Sequence, residues 1–279
     1  MKTVLLGLMA GVAAITAAHA DPIDATLNID GTDMILRAPA PEGHPFKEVL
    51  SGWLFRESET RALEADSFAN PGMLMVSEGE TYWTKVEGTA GKSCESCHNN
   101  AAESMKGVGA RFPKWDEASK RPINIELQIN KCRTEQMGAE AWEFDKGGQV
   151  ALTAYVKHQS LGIPMGIDIK EGGMQTWWEK GKELYYTRTG QLNLSCSNCH
   201  EDLMGKMIRA DHLSQGQTNG FPTYRLKDGN NSIHNRFRGC IRDTRAVIPK
   251  AFSDELMALE VYVAWRGTGL SVETPAVRQ

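Results

Sequence analysis

The sequence predicts a mainly α-helical protein made of two tandem domains related by internal duplication, with long loops and an N-terminal extension. The segment GMLMVSEGETYW from Gly72 resembles GMQTWWEKGKELYY from Gly173, and a C-x-x-C-H motif follows each segment. Each half then closes with an apolar stretch that contains Tyr-Val. The shared landmarks lie between 101 and 108 residues apart. Such a period is typical of one structural module used twice.

The boundaries of the modules follow from these repeats. We predict a first domain over residues 71–165, a linker over 166–172, and a second domain over 173–279. Residues 21–70 are predicted to form an extension packed on the first domain. The length of the chain fits two domains of ordinary size.

The closing stretches have the spacing of amphipathic helices. In the second one, SDELMALEVYVAWRGTG, Ser253 is a suitable N-cap, Asp254 stands in the first turn, and Gly267 is a stop signal. The stretches before the C-x-x-C-H motifs are weaker helix candidates, because Gly79 and Gly181 interrupt them.

The first residues indicate export. Lys2 forms a short basic region, an apolar run extends from Val4 to Ala18, and the A-x-A pattern predicts a signal peptide over residues 1–20, cleaved near Ala20. The run is too short to span a bilayer, so we expect no membrane span and a periplasmic location. The formal net charge is −4 and no long basic run occurs, which argues against nucleic-acid binding.

The repeated C-x-x-C-H motif is the attachment signature of c-type haem. Its two thiols form thioethers with the haem vinyl groups, and its histidine is the proximal iron ligand. Two motifs predict two covalently bound haem c groups, and hence two c-type cytochrome domains. Zinc sites or disulfides are the alternatives, but neither motif has a further Cys or His close by. The predicted haem-binding residues are Cys94, Cys97 and His98 in the first motif and Cys196, Cys199 and His200 in the second.

One lone cysteine follows each motif, at equivalent places in the two halves. Cys132 lies 35 residues after Cys97, and Cys240 lies 41 residues after Cys199. A second axial ligand to the iron normally arises in this region, which favours thiolate ligation by both. A methionine or histidine ligand, a Cys132–Cys240 disulfide, and buried free thiols are the alternatives. The histidines outside the motifs in the mature chain are His44, His158, His212 and His234.

The segment NRFRGCIRDTR places four arginines around Cys240. Guanidinium groups bind small oxyanions through forked donors, and their charge favours the thiolate form of a nearby cysteine. If the segment is helical, Arg236 lies on the same face as Cys240 at i, i+4. Arg238 is a further candidate for substrate binding. Arg242 and Arg245 fit an anion pocket or a solvated charged loop equally well.

These motifs and the RFRGC segment resemble the SoxA family of thiosulfate-oxidising SoxAX cytochromes, in its two-haem form. The resemblance covers nearly the whole mature chain. It implies that His98 and Cys132 ligate the first haem and that His200 and Cys240 ligate the second. It also implies that Cys240 is the catalytic residue, present as a persulfide, and that Arg236 binds the substrate.

The activity implied by the resemblance is the oxidative conjugation of thiosulfate to a cysteine of a carrier protein. The family has a monohaem SoxX-like cytochrome as heterodimer partner and electron acceptor, and a SoxYZ-like protein as sulfur carrier. Two other functions fit the haem motifs. A two-haem electron carrier would use the arginines as a docking patch, and a two-haem peroxidase would need an open coordination site, against which paired thiolate ligands argue.

Overall fold

The computed structural model describes residues 25–145 and 148–279, so the predicted signal peptide lies outside the described residues. The described chain is mainly helical, with short strands and long connections. No helix in it is long and apolar enough to cross a membrane. The α-helices are α1 Ser58–Ala65, α2 Met73–Thr84, α3 Glu95–His98, α4 Ala101–Ser104, α5 Ile125–Cys132, α6 Gln149–His158, α7 Met174–Tyr186, α8 Ile233–Asp243 and α9 Asp254–Arg266.

The strands form small sheets between the helices. Antiparallel pairs are β1 Asn28–Ile29 with β2 Thr32–Asp33, β3 Arg37–Pro39 with β4 Glu48–Leu50, β5 Lys114–Asp116 with β6 Arg121–Ile123, and β7 Met207–Ile208 with β8 Asp211–His212. The sheet of three strands has the order β10 Gly229–Asn231, β9 Thr223–Arg225, β11 Ala276–Arg278. Strand β11 runs parallel to β9, so the C-terminal segment is joined to the second half of the chain.

Two pairs of helices cross closely, and a glycine stands at each crossing. A Cβ atom at Gly79 of α2 would lie 2.2 Å from the Ala151 carbonyl oxygen of α6. A Cβ atom at Gly181 of α7 would lie 2.0 Å from the Ala258 carbonyl oxygen of α9. The prediction that these glycines interrupt the helices is wrong, because both helices continue through them. Tertiary packing outweighs the low helix propensity of glycine here.

The caps of the helices follow local sequence signals. The Ser253 hydroxyl accepts a hydrogen bond from the Leu256 amide at 3.4 Å, and Gly267 ends α9, as predicted. Both lone cysteines also lie on helices, which the sequence did not indicate. Asn124 caps α5, which ends at Cys132, and Ser232 caps α8, which contains Cys240.

The same order of elements occurs in both halves. A helix (α2 or α7) precedes the C-x-x-C-H motif, a strand pair (β5–β6 or β9–β10) precedes the cysteine-bearing helix (α5 or α8), and a closing helix (α6 or α9) packs back on the first. The largest hydrophobic core lies around α9, where Met174, Tyr185, Val261 and Tyr262 are buried. Within the segment predicted as a linker, Ile167 is buried in this core.

The N-terminal extension packs on more than the first half. Its apolar side chains contact Leu161 of the first half and Leu270 near the C-terminus. Its backbone forms hydrogen bonds with the second half. The Ile35 amide donates to Ser271 Oγ at 2.8 Å, and the Leu50 amide donates to Gln215 Oε1 at 2.8 Å. The extension therefore bridges both halves.

Candidate functional site

The second C-x-x-C-H motif and Cys240 form one group of thiols. Cys196 lies after the helix α7, Cys199 lies in a π-helical turn over Asn198–Asp202, and Cys240 approaches from α8. Burial, and next the neighbouring Cys240, raise the pKa of Cys196 to about 12. The same two causes raise the pKa of Cys199. The thiol of Cys240 is therefore close enough to both motif cysteines to act on their ionisation.

The His200 ring is oriented by a hydrogen bond at Nδ1, which leaves its outer nitrogen, Nε2, for a metal. Its Nδ1 lies 2.8 Å from the carbonyl oxygen of Ser214, to which the ring donates when Nδ1 carries the proton. Burial lowers the pKa of His200 to about 4, so the imidazole is neutral at pH 7. A neutral imidazole with Nδ1 engaged by a carbonyl presents Nε2 to a metal, which is the usual arrangement of a histidine ligand.

Arg236 lies on the same side of α8 as Cys240. The two residues are one helical turn apart. The positive charge of Arg236 acts to lower the pKa of both Cys199 and His200. Arg236 is half-buried and forms no ion pair with a carboxylate of residues 25–145 or 148–279. Its guanidinium therefore keeps its donors for another anion.

The other arginines of this segment are placed differently. The Arg238 guanidinium lies 5.4 Å from the centroid of the Phe144 ring, and its charge acts to lower the pKa of Asp145. Because residues two apart face different sides of a helix, the structure does not bring Arg238 to the thiol of Cys240. Arg242 is exposed and pairs with Asp243 at 3.3 Å. The side chain of Arg245 is also exposed.

Sequence reasoning missed Arg225, which is a second arginine near Cys240. Its pKa is lowered by burial and then by Arg236, while Asp228 and Cys240 act in the opposite direction. Its Nε donates to the Gln279 carbonyl oxygen at 3.0 Å. No local motif marks this residue, because strand pairing alone brings it to α8.

Several buried polar atoms beside the second motif suit a haem. His44 Nδ1 accepts the Phe46 amide, so its Nε2 carries the hydrogen and is a buried donor. This nitrogen, Trp178 Nε1, the Tyr185 hydroxyl and Arg266 Nε have no hydrogen-bond partner within the described residues. Their side chains and Cys196 lie around the α9 core. Leaving a buried donor unpaired costs about 1–3 kcal/mol, and the two carboxylates of a haem are suitable acceptors. The residues present therefore fit the group.

The first motif is arranged more openly. Burial, and next the neighbouring Cys132, raise the pKa of Cys94 to about 11. Gln128 Nε2 donates to Cys132 Sγ at 3.4 Å, in the place that Arg236 occupies relative to Cys240. Cys97 and His98 are exposed, and the His98 ring has no hydrogen bond within residues 25–145 and 148–279. The ring lies 5.8 Å from the Trp83 ring.

The cysteines form no disulfides, and three of the histidines outside the motifs have protein partners. All six cysteines are unpaired, and Cys132 and Cys240 belong to different groups of thiols. His234 Nε2 bonds to Glu260 Oε2 at 2.9 Å, and His158 Nδ1 lies 2.9 Å from the carbonyl oxygen of Thr274. His212 lies 3.3 Å from Glu57.

Comparisons with known proteins relate the chain to one family of cytochromes. The family model for the cytochrome c domain of SoxA/TsdA matches residues 78–165. The L-cysteine S-thiosulfotransferase subunit SoxA of Pseudaminobacter salicylatoxidans is 70% identical over 276 residues, which cover 99% of this chain and 96% of that protein. The subunit of the same name from Paracoccus pantotrophus is 46% identical and covers 99% of this chain and 97% of its own length.

A solved structure shares the fold as well. The crystal structure of SoxXA from P. pantotrophus contains a chain that is 46% identical and superposes with a TM-score of 0.88, covering 93% of this chain and 100% of that one. Identity of this extent over the whole length is shared by members of one family. The chain belongs to the SoxA family.

Proposed function

We propose that this chain oxidatively conjugates thiosulfate to a cysteine of a sulfur-carrier protein. The reaction joins the outer sulfur of thiosulfate to the carrier thiol, so that R–SH and S2O3²⁻ give R–S–SSO3⁻, one proton and two electrons. The relatives named above carry this kind of activity in their name, L-cysteine S-thiosulfotransferase. The enzyme must therefore bind a dianion, hold a sulfur atom and remove two electrons.

The observation that carries the proposal is the pairing of Arg236 with Cys240 beside the second C-x-x-C-H motif. Arg236 has no carboxylate partner in the described chain, and it stands one helical turn from the thiol. A planar guanidinium binds an oxyanion through two parallel donors. We assign the sulfonate end of thiosulfate to Arg236, which directs its outer sulfur towards Cys240.

Cys240 is assigned the catalytic role, as a persulfide. The outer sulfur of a persulfide is both nucleophilic and transferable, which suits passage of sulfur between the substrate and a carrier. Arg225 adds positive charge on the same side, although Asp228 balances part of it.

Two haem c groups are proposed, bound through Cys94 and Cys97 and through Cys196 and Cys199. His98 and Cys132 would ligate the first iron, and His200 and Cys240 the second. When bound, each haem supplies a one-electron acceptor close to a cysteine sulfur.

A duplicated cytochrome module underlies this assignment. In support, Gly79 and Gly181 make matching helix crossings, and the cysteine-bearing helices α5 and α8 occupy matching places. The domain bounds 71–165 and 173–279, with the linker 166–172, remain our proposal.

The partners and location are proposed on other grounds. The similar crystal structure is of SoxXA, which supports a heterodimer with a monohaem SoxX-like cytochrome as electron acceptor. A SoxYZ-like carrier and thiosulfate are the proposed substrates. The signal peptide pattern before Ala20 supports export to the periplasm.

The test uses the heterodimer with carrier protein and thiosulfate. Arg236→Ala should raise KM for thiosulfate at least tenfold while both haem spectra are unchanged, and Arg236→Lys should restore the loss only partly, because an ammonium lacks the planar fork. The exposed Arg111 gives the control Arg111→Ala, which should behave as wild type.

Mass spectrometry supplies the second part of the test. We expect two haem units on the mature chain and a cyanide-labile adduct of about 32 Da, one sulfur atom, on Cys240 alone. Full conjugating activity in a Cys240→Ser variant would contradict the proposal and leave a two-haem electron carrier as the function.

A further inference from the structure

We propose that the N-terminal extension acts as a positioning element for His200, through a brace made by Arg56 and Gln215. The brace acts on the loop 211–217, which contacts the His200 ring. This inference rests on the proposed function, in which His200 ligates the second haem. Arg56 and Gln215 are positioning residues, since their side chains contact the loop and the extension and not the C-x-x-C-H motif.

The loop meets the His200 ring on two sides. The Ser214 carbonyl oxygen lies 2.8 Å from Nδ1, and Gly216 packs against the ring. Gly216 has φ +72, and a Cβ atom there would lie 2.8 Å from Cγ and Nδ1 of the ring. Only glycine adopts this conformation and approaches this closely without strain. The position of the loop therefore sets both the hydrogen bond and the plane of the imidazole.

The extension holds this loop at two places. Near its start, the Arg56 guanidinium pairs with Asp211 and bonds to the His212 carbonyl oxygen, while its Nε donates to the Gly52 carbonyl oxygen at 3.1 Å. The side chain of Arg56 is 3% exposed, so these bonds are shielded from solvent. Arg56 thus joins the extension to strand β8, which ends two residues before Ser214.

The second attachment is made by Gln215, which is 2% exposed. Its Oε1 accepts the Leu50 amide at 2.8 Å, and its Nε2 donates to the Glu48 carbonyl oxygen at 3.3 Å. The amide side chain therefore pairs with strand β4 on both of its polar atoms. Since Gln215 lies between Ser214 and Gly216, it secures the two residues that contact the ring.

The first site has no comparable brace within the described residues. The Phe–Pro pair follows His98 by 14 residues and His200 by 21, and the strand pair β7–β8 lies within the longer interval. Gly107, with φ +78, occupies the place of Gly216 when the halves are aligned on Phe–Pro, but the atoms nearest to its Cβ position belong to Arg111 and Ile163. The extension therefore serves the second site selectively.

The consequence for a bound haem follows from general coordination chemistry. The Nδ1 hydrogen bond of a ligating histidine sets its orientation and its basicity, and hence the potential of the iron. A brace on Ser214 would keep the orientation and the basicity of the imidazole constant during turnover. The proposal predicts that cutting the brace alters the second haem and leaves the first one unchanged.

The experiment compares Arg56→Gln and Gln215→Ala with Arg61→Gln in the intact holoprotein. Arg61 is in the same extension, and its guanidinium lies 5.2 Å from the Trp53 ring centroid, within the extension. We expect both brace variants to shift the electron paramagnetic resonance g values of the second haem only. Deuterium exchange in residues 211–217 should become roughly tenfold faster, as loss of buried hydrogen bonds implies. Arg61→Gln should change neither property.

The outcomes separate this inference from the proposed function. Unchanged g values and exchange in both brace variants would overturn the inference while the two haems remain. If His200→Ala leaves the second low-spin signal intact, the haem assignment itself fails. Should Arg56→Gln not accumulate, Gln215→Ala carries the same test, and Arg56→Lys should recover part of the wild-type exchange rate.

Discussion

Glu126 is a carboxylic acid buried where the two halves meet. It lies in the first turn of α5 and is 6% exposed. Burial, and next the charge of Glu260 on α9, raise its pKa from 4.5 to about 7, while His234 of α8 and Lys157 of α6 act in the opposite direction. Beside it is a cavity of about 20 Å³, which has room for one water molecule.

The sign of the pH effect follows from the direction of this shift. A carboxyl group whose pKa is raised by folding stabilises the folded state below its unfolded pKa, and this contribution disappears as the pH rises through the folded pKa. The window is therefore about pH 4.5 to 7. Lys157, whose pKa burial lowers to about 8, stays protonated throughout that window.

We expect Glu126→Gln to remove this dependence, because the amide is neutral at every pH. A shift of this size corresponds to a contribution of about 3 kcal/mol between the two limits, and to about 2–3 kcal/mol between pH 5 and pH 8. The free energy of unfolding of the variant, relative to wild type, should therefore rise by that amount over this interval.

The assay is urea unfolding of the holoprotein, followed by far-ultraviolet circular dichroism at pH 5, 6, 7 and 8. Glu183→Gln is the matched control, since Glu183 is an exposed residue of α7. Burial and Glu64 also raise the pKa of Glu273 to about 7. Its contribution cancels when the free energy of unfolding of wild type is subtracted from that of Glu126→Gln. A difference between Glu126→Gln and wild type that stays constant with pH would refute the reasoning.

Two further predictions concern the helix crossing and the proposed first haem site. Gly181→Ala should lower the free energy of unfolding by about 1–3 kcal/mol despite a gain of about 0.8 kcal/mol in helix propensity, because the new Cβ would lie 2.0 Å from the Ala258 carbonyl oxygen. Thermal unfolding measures this, and a melting temperature at or above that of wild type would contradict the packing argument. Cys132→Met should alter the spectrum and potential of the first haem while thiosulfate turnover persists. Spectroelectrochemistry measures the haem properties and an activity assay measures turnover, and loss of turnover would contradict this prediction.

Local patterns determined which residues are proposed to carry the chemistry of the chain. The two C-x-x-C-H motifs, the lone cysteines and the arginines around Cys240 are contiguous signals, and the cap at Ser253 with the stop at Gly267 is correct to the residue. The family could also be recognised at this level, and the comparisons confirm it. These features depend on residues that are neighbours in the chain, where the backbone alone limits the geometry.

Tertiary packing decided what surrounds that chemistry. Gly181 was expected to interrupt its helix, but the helix continues because the α9 backbone lies against it. Arg225 reaches the Cys240 region through the sheet that β9 forms with β11. Arg56 contacts Asp211, and Gln215 contacts Leu50, in each case across more than 150 residues of chain. No local pattern predicts such contacts, because their free energy arises from groups that only the folded chain brings together and shields from water.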